Sequence, residues 1–404
     1  MPQILETWTS IVAVLLVLCA AGDAAAADPA PEPQADHGPL GLRTQGTLRE
    51  LFLDVTIADA RAVERPLLEL RYTVSNVWNE AMDLSRRGDR AHQELDEQAD
   101  ALGIKLTLPW SAIGDGPAVH LPGSARPLFQ RLSTAAEVRL TEHWGGWSDR
   151  PIEAWHRLIG SFNFDREFHP RNRLRLHVAD AGGTAFNLDR PTLAFGDIAI
   201  RTQFLLAEGG HAPASPDGST SPNSPAQPER KSSALSLRLD FKLPTGRLAS
   251  AGGSGGFDAA VALLGTTQVS SAIALHGMVA LARFGGFNAP LLLQPKRWHF
   301  TAEISAVFDL GPVQLLLEDR VVSPLLQPGW NRLEANGNDG FLSSGYYAGF
   351  RSHNQITWGL RAGRLSFWLS EDFTPGSNSR SSIPFYYESN SPDVTIGVRW
   401  LQPL

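Results

Sequence analysis

The sequence predicts an all-β chain, a single antiparallel transmembrane β-barrel of about 12–14 strands with a short amphipathic helix in one inter-strand insert. Three observations predict it: repeated alternation of apolar and polar residues, an exported N-terminus, and links that alternate between tight turns and long loops.

The first residues carry an apolar run from Ile11 to Ala21, then Gly22 and Asp23, then Ala24 to Ala27 before Asp28 and Pro29. This reads as a secretory signal over 1–27, with an A-x-A site at Ala25 and Ala27 and cleavage after Ala27. The run is shorter than the roughly 20 apolar residues a spanning helix needs. Glu6 stands where a signal carries Lys or Arg, so either the start lies elsewhere or the signal is atypical. Cys19, the single cysteine, lies inside this segment behind Leu18, whereas a lipoprotein signal wants a small residue there. The mature chain then holds no cysteine, and its cohesion must come from hydrogen-bond ladders rather than disulfides.

Residues 28–39, with Pro29, Pro31, Pro33 and Pro39, form an extended leader, and 40–404 form the barrel. The clearest strand alternates Leu235, Leu237, Leu239, Phe241 and Leu243 with Ser236, Arg238, Asp240 and Lys242. The same period places Leu68, Leu70, Tyr72 and Val74 on one face, and Leu174, Leu176 and Val178 on another. It recurs in Trp298, Phe300, Ala302, Ile304, Ala306 and Phe308, and in Val394, Ile396, Val398 and Trp400. Weaker alternation over 47–57, 102–109, 133–142, 194–207, 256–268, 270–282, 312–322, 344–361 and 364–371 brings the count to about fourteen. Several approach the roughly 9–11 residues a tilted spanning strand requires.

A soluble sandwich alternates too, so the links matter. In the second half, tight links at Ser270 and Ser271, at Gly311 and Pro312, and at Gly363 interleave with long ones at 244–256, 283–297, 323–343 and 372–392. With Leu404 periplasmic and an even strand count, the long links fall outside the cell, as bacterial outer-membrane barrels arrange them. Three inserts, 79–101, 143–170 and 207–233, fall on the nominally short side. The first is charged enough for a solvated helix. Within the second, 151–160 starts with Pro151, ends with Gly160 and sets Ile152, Trp155 and Ile159 on one helical face. The third is rich in Pro, Ser, Gly and Asn and reads as flexible over 209–232. Trp78, Trp110, Trp298, Trp358 and Trp400 near segment ends suit interfacial girdles.

Beyond periodicity, several blocks carry a family resemblance. These are Gly38, Pro39 and Leu40; Arg43 to Leu48; Gly145 to Gly160 with Ile152 to Leu158; Pro170 to Arg173; Phe195 to Asp197; and Lys242 to Gly246. Together they resemble a bacterial family of outer-membrane β-barrels, domain of unknown function 3187, over most of the chain from Gly38 onward. The resemblance implies a barrel and no particular activity. One departure is the end of the chain: many such barrels finish on an aromatic residue, whereas Trp400 is followed by Leu401 to Leu404.

The chemistry-bearing patterns are sparse. Gly252 to Gly256 matches G-x-S-x-G around Ser254, but that motif needs a strand-to-helix turn, and here it joins two strands, which reads as a flexible loop. Glu153 and His156 share a helix face at the spacing of di-metal bundles, yet no second copy exists; His143, Asp149 and Asp165 would complete only a mononuclear site. No catalytic, cofactor-binding or metal residue is assigned, and no cofactor is expected. A formal charge of −7 without basic blocks gives no reason to expect nucleic acid. Polar faces such as Arg173, Arg175 and His177, or Arg238, Asp240 and Lys242, should line a lumen. The expected function is an outer-membrane barrel of structural, adhesive or pore type. Its expected partners are outer-membrane lipid, lipopolysaccharide and the barrel-assembly machinery. A barrel-borne lipid hydrolase and a soluble periplasmic β-sandwich binding a ligand are the alternatives.

Overall fold

The computed structural model of the chain describes residues 38–44, 46–114, 126–159, 169–211, 231–327, 329–332, 352–372 and 392–404. The expected signal (1–27), most of the leader, residues 212–230 of the stretch expected to be flexible (209–232) and parts of two long links lie outside these residues. The strands are β1 (Leu67–Arg86), β2 (Asp89–Pro109), β3 (Leu132–Trp144), β4 (Arg175–Asp180), β5 (Gly183–Leu188), β6 (Thr192–Phe195), β7 (Ile198–His211) and β8 (Lys231–Leu243). They continue as β9 (Asp258–Ser270), β10 (Ile273–Arg283), β11 (Trp298–Asp309), β12 (Gln314–Val322), β13 (Asn331–Arg332), β14 (His353–Ala362), β15 (Leu365–Asp372) and β16 (Pro392–Pro403). Among the described residues there are also four α-helices: α1 (Thr47–Glu50), α2 (Trp110–Gly114), α3 (Arg126–Phe129) and α4 (Asp149–Ile159).

Twelve of these strands close into an antiparallel barrel. Its seam is β1, which pairs on one side with β16 (Leu70 opposite Trp400) and on the other with β2 (Leu70 opposite Ile104). Closure leaves no free edge among the wall strands; where β3 runs on past β7, its Leu140–His143 pair instead with β6. Strand parity then sorts the wall into two faces. On β8, Ser236, Arg238, Asp240 and Lys242 are buried inside, while Leu235 and Leu239 are exposed outside. On β11, His299, Thr301, Glu303 and Ser305 point inward and Trp298, Phe300 and Ile304 outward. The same inversion holds on β9, β10, β12 and β14, with Val261, Leu263, Val279, Leu281, Val321 and Leu360 on the outside. An apolar exterior around a polar interior is the reverse of a water-soluble fold and matches a barrel solvated by lipid.

The two ends differ. At one, two-residue links join β9 to β10 and β14 to β15, the latter through Gly363 at φ +55°, and both Leu67 and Pro403 lie here. At the other, longer links carry 145–174, 244–257 and 284–297. The expected alternation of short and long links therefore holds in the second half.

The first half corrects three expectations. Two of the fourteen candidate strands are not wall strands: 47–57 enters the lumen, and 173–178 is β4, which pairs outside the ring. The charged stretch 79–101 is not a helix. It is the hairpin of β1 (20 residues) and β2 (21 residues), turned at Arg87 (φ 51°) and Gly88 (φ 90°). The hairpin rises past the barrel and there pairs with β13 and with β4, which in turn pairs with β5. Removing 173–178 from the count moves 79–101 and 143–170 to the long-link end and leaves 207–233, together with the link 110–131 that carries α2 and α3, at the short-turn end. The expected amphipathic helix is present as α4.

Candidate functional site

The lumen is occupied by the chain itself. Residues 38–62 precede β1, and Leu40, Leu42, Leu51, Phe52, Leu53, Val55, Ile57 and Ala60 among them are almost fully buried. The segment enters beside Arg361 and Arg399 at the short-turn end, climbs to the long-link end at α1 and Leu51, turns, and descends to Leu67. The two arms touch at Gly41, whose φ is +60° and where a Cβ would stand 2.5 Å from the Ile57 carbonyl oxygen. Glycine is required there on both counts.

No ladder holds this segment; wall side chains do. A buried backbone group without a partner is costly, so each must be met individually. On the ascending arm, Arg361 donates to the Gly38 carbonyl at 2.6 Å, and Arg71 donates to Leu40 and Gly41 at 2.9 and 3.0 Å. The Leu40 N–H donates to Glu318. On the descending arm, Arg238 donates to the Thr56 carbonyl at 2.7 Å. The Ile57 N–H donates to Glu303 at 2.9 Å, and the Ala60 N–H to Thr266 at 2.9 Å. Arg320 spans both arms, donating to the carbonyls of Leu42 (2.9 Å) and Val55 (3.1 Å) and to the Asp54 carboxylate. Asp54 in turn accepts from the Thr44 N–H at 2.6 Å, tying the arms to each other.

The apex is held by packing. Phe52 stacks on Phe284 at 4.9 Å and meets Phe287 edge-on at 5.2 Å, within a core shared with Leu291, Leu293, Leu325 and Leu326 from the long links. The raised hairpin contributes Leu84 and Leu95 to the same core, and β4 contributes Leu176 and Val178. Small inward residues make room for the segment along the wall, among them Ala199, Ala260, Ala262 and Ala280. Gly359 on β14 does the same, since a Cβ there would lie 2.6 Å from Leu40.

Arg238, Asp240 and Lys242 line the lumen as expected. Arg173, Arg175 and His177 do not: they lie on and beside β4, the arginines paired with Glu94 and His177 beside His92. Trp298 and Trp358 face outward, but Trp78 is buried against His169. Ser254 is fully buried rather than in a flexible loop. Its N–H donates to the Leu51 carbonyl at 3.0 Å, and its hydroxyl lies 3.0 Å from Lys242 Nζ. That lysine is ion-paired with Asp197 and Asp258 and donates to the Ser254 hydroxyl, so all three groups are engaged in one buried structural network. Glu153 is bound by Arg171 at 2.7 and 2.8 Å, Asp149 by Asn76 and the Asn172 N–H, and His143 lies inside the barrel on Glu97 at 2.6 Å. The wall separates His143 from α4, so these groups do not converge on one site. Asp165 lies outside the described residues, and nothing is described of the His156 side chain. Among the described residues no cluster of His, Cys, Asp and Glu could hold a metal ion.

Comparison with protein-family models and with curated proteins gives no match. Among solved structures the chain is similar to the COG4313 outer membrane channel from Pseudomonas putida F1, at 8% identity and a TM-score of 0.42, covering 86% of this chain and 98% of that one. It is also similar to the translocator domain of the autotransporter NalP from Neisseria meningitidis (8%, 0.32, 85% and 90%). A third is the P. putida toluene transporter TodX (10%, 0.31, 85% and 91%). The barrel described above rests on this chain's own strand pairings and not on these likenesses.

Proposed function

We propose that the chain is an outer-membrane barrel of the pore or transport class, held shut in this conformation by residues 38–62. The apolar exterior supports the membrane, and the position of the long links supports an orientation with Leu404 in the periplasm. Membership of the domain of unknown function 3187 family belongs to the same proposal, carried by the residue matches given above.

One observation carries the pore reading: the segment filling the lumen is held by side chains, and both its ends lie at the short-turn end. It can withdraw as a hairpin without breaking a single wall ladder bond. A purely structural barrel has no need of a separable filling, because inward side chains can fill a barrel of this size.

Withdrawal would leave a lumen lined by Arg71, Arg201, Arg238, Arg320, Glu303 and Glu318. Such mixed charge admits small hydrated solutes rather than apolar ones. The test is swelling of liposomes containing either the full chain or a chain lacking 38–62, each first checked for heat-modifiable gel migration. Uptake of small sugars through the shortened chain alone is the expected result. No uptake through a shortened chain that still migrates as a folded barrel would remove the pore reading.

A further inference from the structure

The outward face of the wall is interrupted by a polar patch near the long-link end. By strand parity Asn76 of β1, Gln98 and Asp100 of β2 and Glu142 of β3 point away from the lumen, yet all are buried. The insert that follows β3 covers them. Asn76 donates to Ser148 at 2.8 Å and to Asp149 at 3.0 Å, and Gln98 accepts from the Trp147 N–H at 3.0 Å. Gly146, at φ +67°, lies so close to Gln98 that a Cβ would stand 2.3 Å from it. Farther along, Trp155 donates to Glu371 of β15 at 3.0 Å. Helix α4 therefore lies on the outside of the barrel, across β1 toward β15, and not over its mouth.

Its opposite face is exposed. Arg150, Ala154, Arg157 and Leu158 fall on one stripe at helical spacing and all are exposed, Leu158 by 79% and the preceding Trp147 by 53%. Arg150 and Arg157 make no ion pair or hydrogen bond among the described residues. A helix pinned to the outer wall of a lipid-facing barrel, with two unpaired cations beside an exposed Trp and Leu, has the composition of an interfacial helix. Its charge complements an anionic head group. The long-link end of such barrels faces the cell exterior, so the leaflet at this height is the outer one.

We propose that α4 and Trp147 form a docking surface for the phosphorylated head group of an outer-leaflet glycolipid. Arg150 and Arg157 contact phosphate, and Trp147 and Leu158 contact the upper acyl chains. This rests on the outer-membrane reading above.

The experiment uses the full chain in detergent with three probes in turn: bisphosphorylated lipid A, dephosphorylated lipid A and phosphatidylglycerol. Retained lipid is measured by native mass spectrometry. The full chain should retain bisphosphorylated lipid A best. The double variant Arg150→Gln/Arg157→Gln should retain it roughly 30-fold more weakly, the effect of removing two basic residues from an anionic lipid surface. Arg150→Lys/Arg157→Lys should retain most of the binding. Equal retention by the Gln variant overturns the proposal, as does equal retention of dephosphorylated lipid A, and equal retention of phosphatidylglycerol overturns the commitment to a glycolipid. Heat-modifiable migration of every variant separates these outcomes from failure of the membrane reading, in which the unaltered chain itself would show no such shift.

Discussion

Arg320 of β12 grips Asp54 of the lumen segment through both of its terminal nitrogens, in a pair whose arginine side chain is only 2% exposed. The same guanidinium holds the Leu42 and Val55 carbonyls, so one side chain joins the ascending arm, the descending arm and the wall. A planar five-donor fork suits this; a lysine could not make the same set of bonds.

Arg320→Ala should therefore loosen the segment more than any single backbone contact does. Removing one partner of a buried ion pair costs about 3–5 kcal/mol, because the other charge is left uncompensated. The expected outcome is a lower urea midpoint together with frequent channel openings in a bilayer. A variant as stable and as silent as the unaltered chain would show that this clasp does not close the lumen.

Phe52→Ala tests the apex instead. Truncating a buried phenylalanine costs about 3–5 kcal/mol, and here the loss falls on contacts with Phe284 and Phe287 in the long-link core. Limited proteolysis should then cut within 46–62 while the wall strands stay protected. Unchanged protection of 46–62 would place the anchoring of the apex elsewhere.

With 38–62 removed, Arg71, Arg361 and Arg399 lose the Gly38, Pro39, Leu40 and Gly41 carbonyls and face water near the short-turn mouth. Their field should favour anions. The reversal potential of the shortened chain in a salt gradient should show anion preference, and Arg361→Gln/Arg399→Gln should move it toward zero. A potential indifferent to that substitution contradicts this account of the mouth.

Ser254→Ala removes the two hydrogen bonds its hydroxyl accepts, from Lys242 and from the Gly256 N–H, and is expected to cost about 2 kcal/mol, while Lys242 keeps Asp197 and the Gly256 carbonyl. It should alter no lipid-hydrolysing activity. A measurable activity abolished by this substitution would reinstate the hydrolase reading.

The wall was legible in the sequence because alternation reports two environments, and in a barrel those are lipid and lumen. Ser236 to Lys242 and Trp298 to Phe308 face as their parity requires. The lumen segment carries the same pattern without being a strand. Leu51, Leu53, Val55 and Ile57 alternate with Phe52, Asp54 and Thr56 as a strand does, but their hydrogen bonds go to Asp258, Arg320, Arg238 and Glu303 rather than to a neighbouring strand. Period two fixes exposure and says nothing about ladder partners. The charged hairpin was hidden by composition. Glu94 is tolerated in a strand because Arg173 and Arg175, beside and on β4, pair with it, a long-range fact no local window contains. The placement of α4 outside the wall depends likewise on Asn76 and Gln98, buried polar residues on an outward face.

The most direct measurement of the central claim is single-channel conductance in planar bilayers of the full chain against the chain lacking 38–62, both confirmed as heat-modifiable barrels. Closure by the chain's own segment predicts a silent or briefly flickering trace for the full chain and steady, ohmic conductance for the shortened one. Two equally silent traces, or two equally conducting ones, would contradict it.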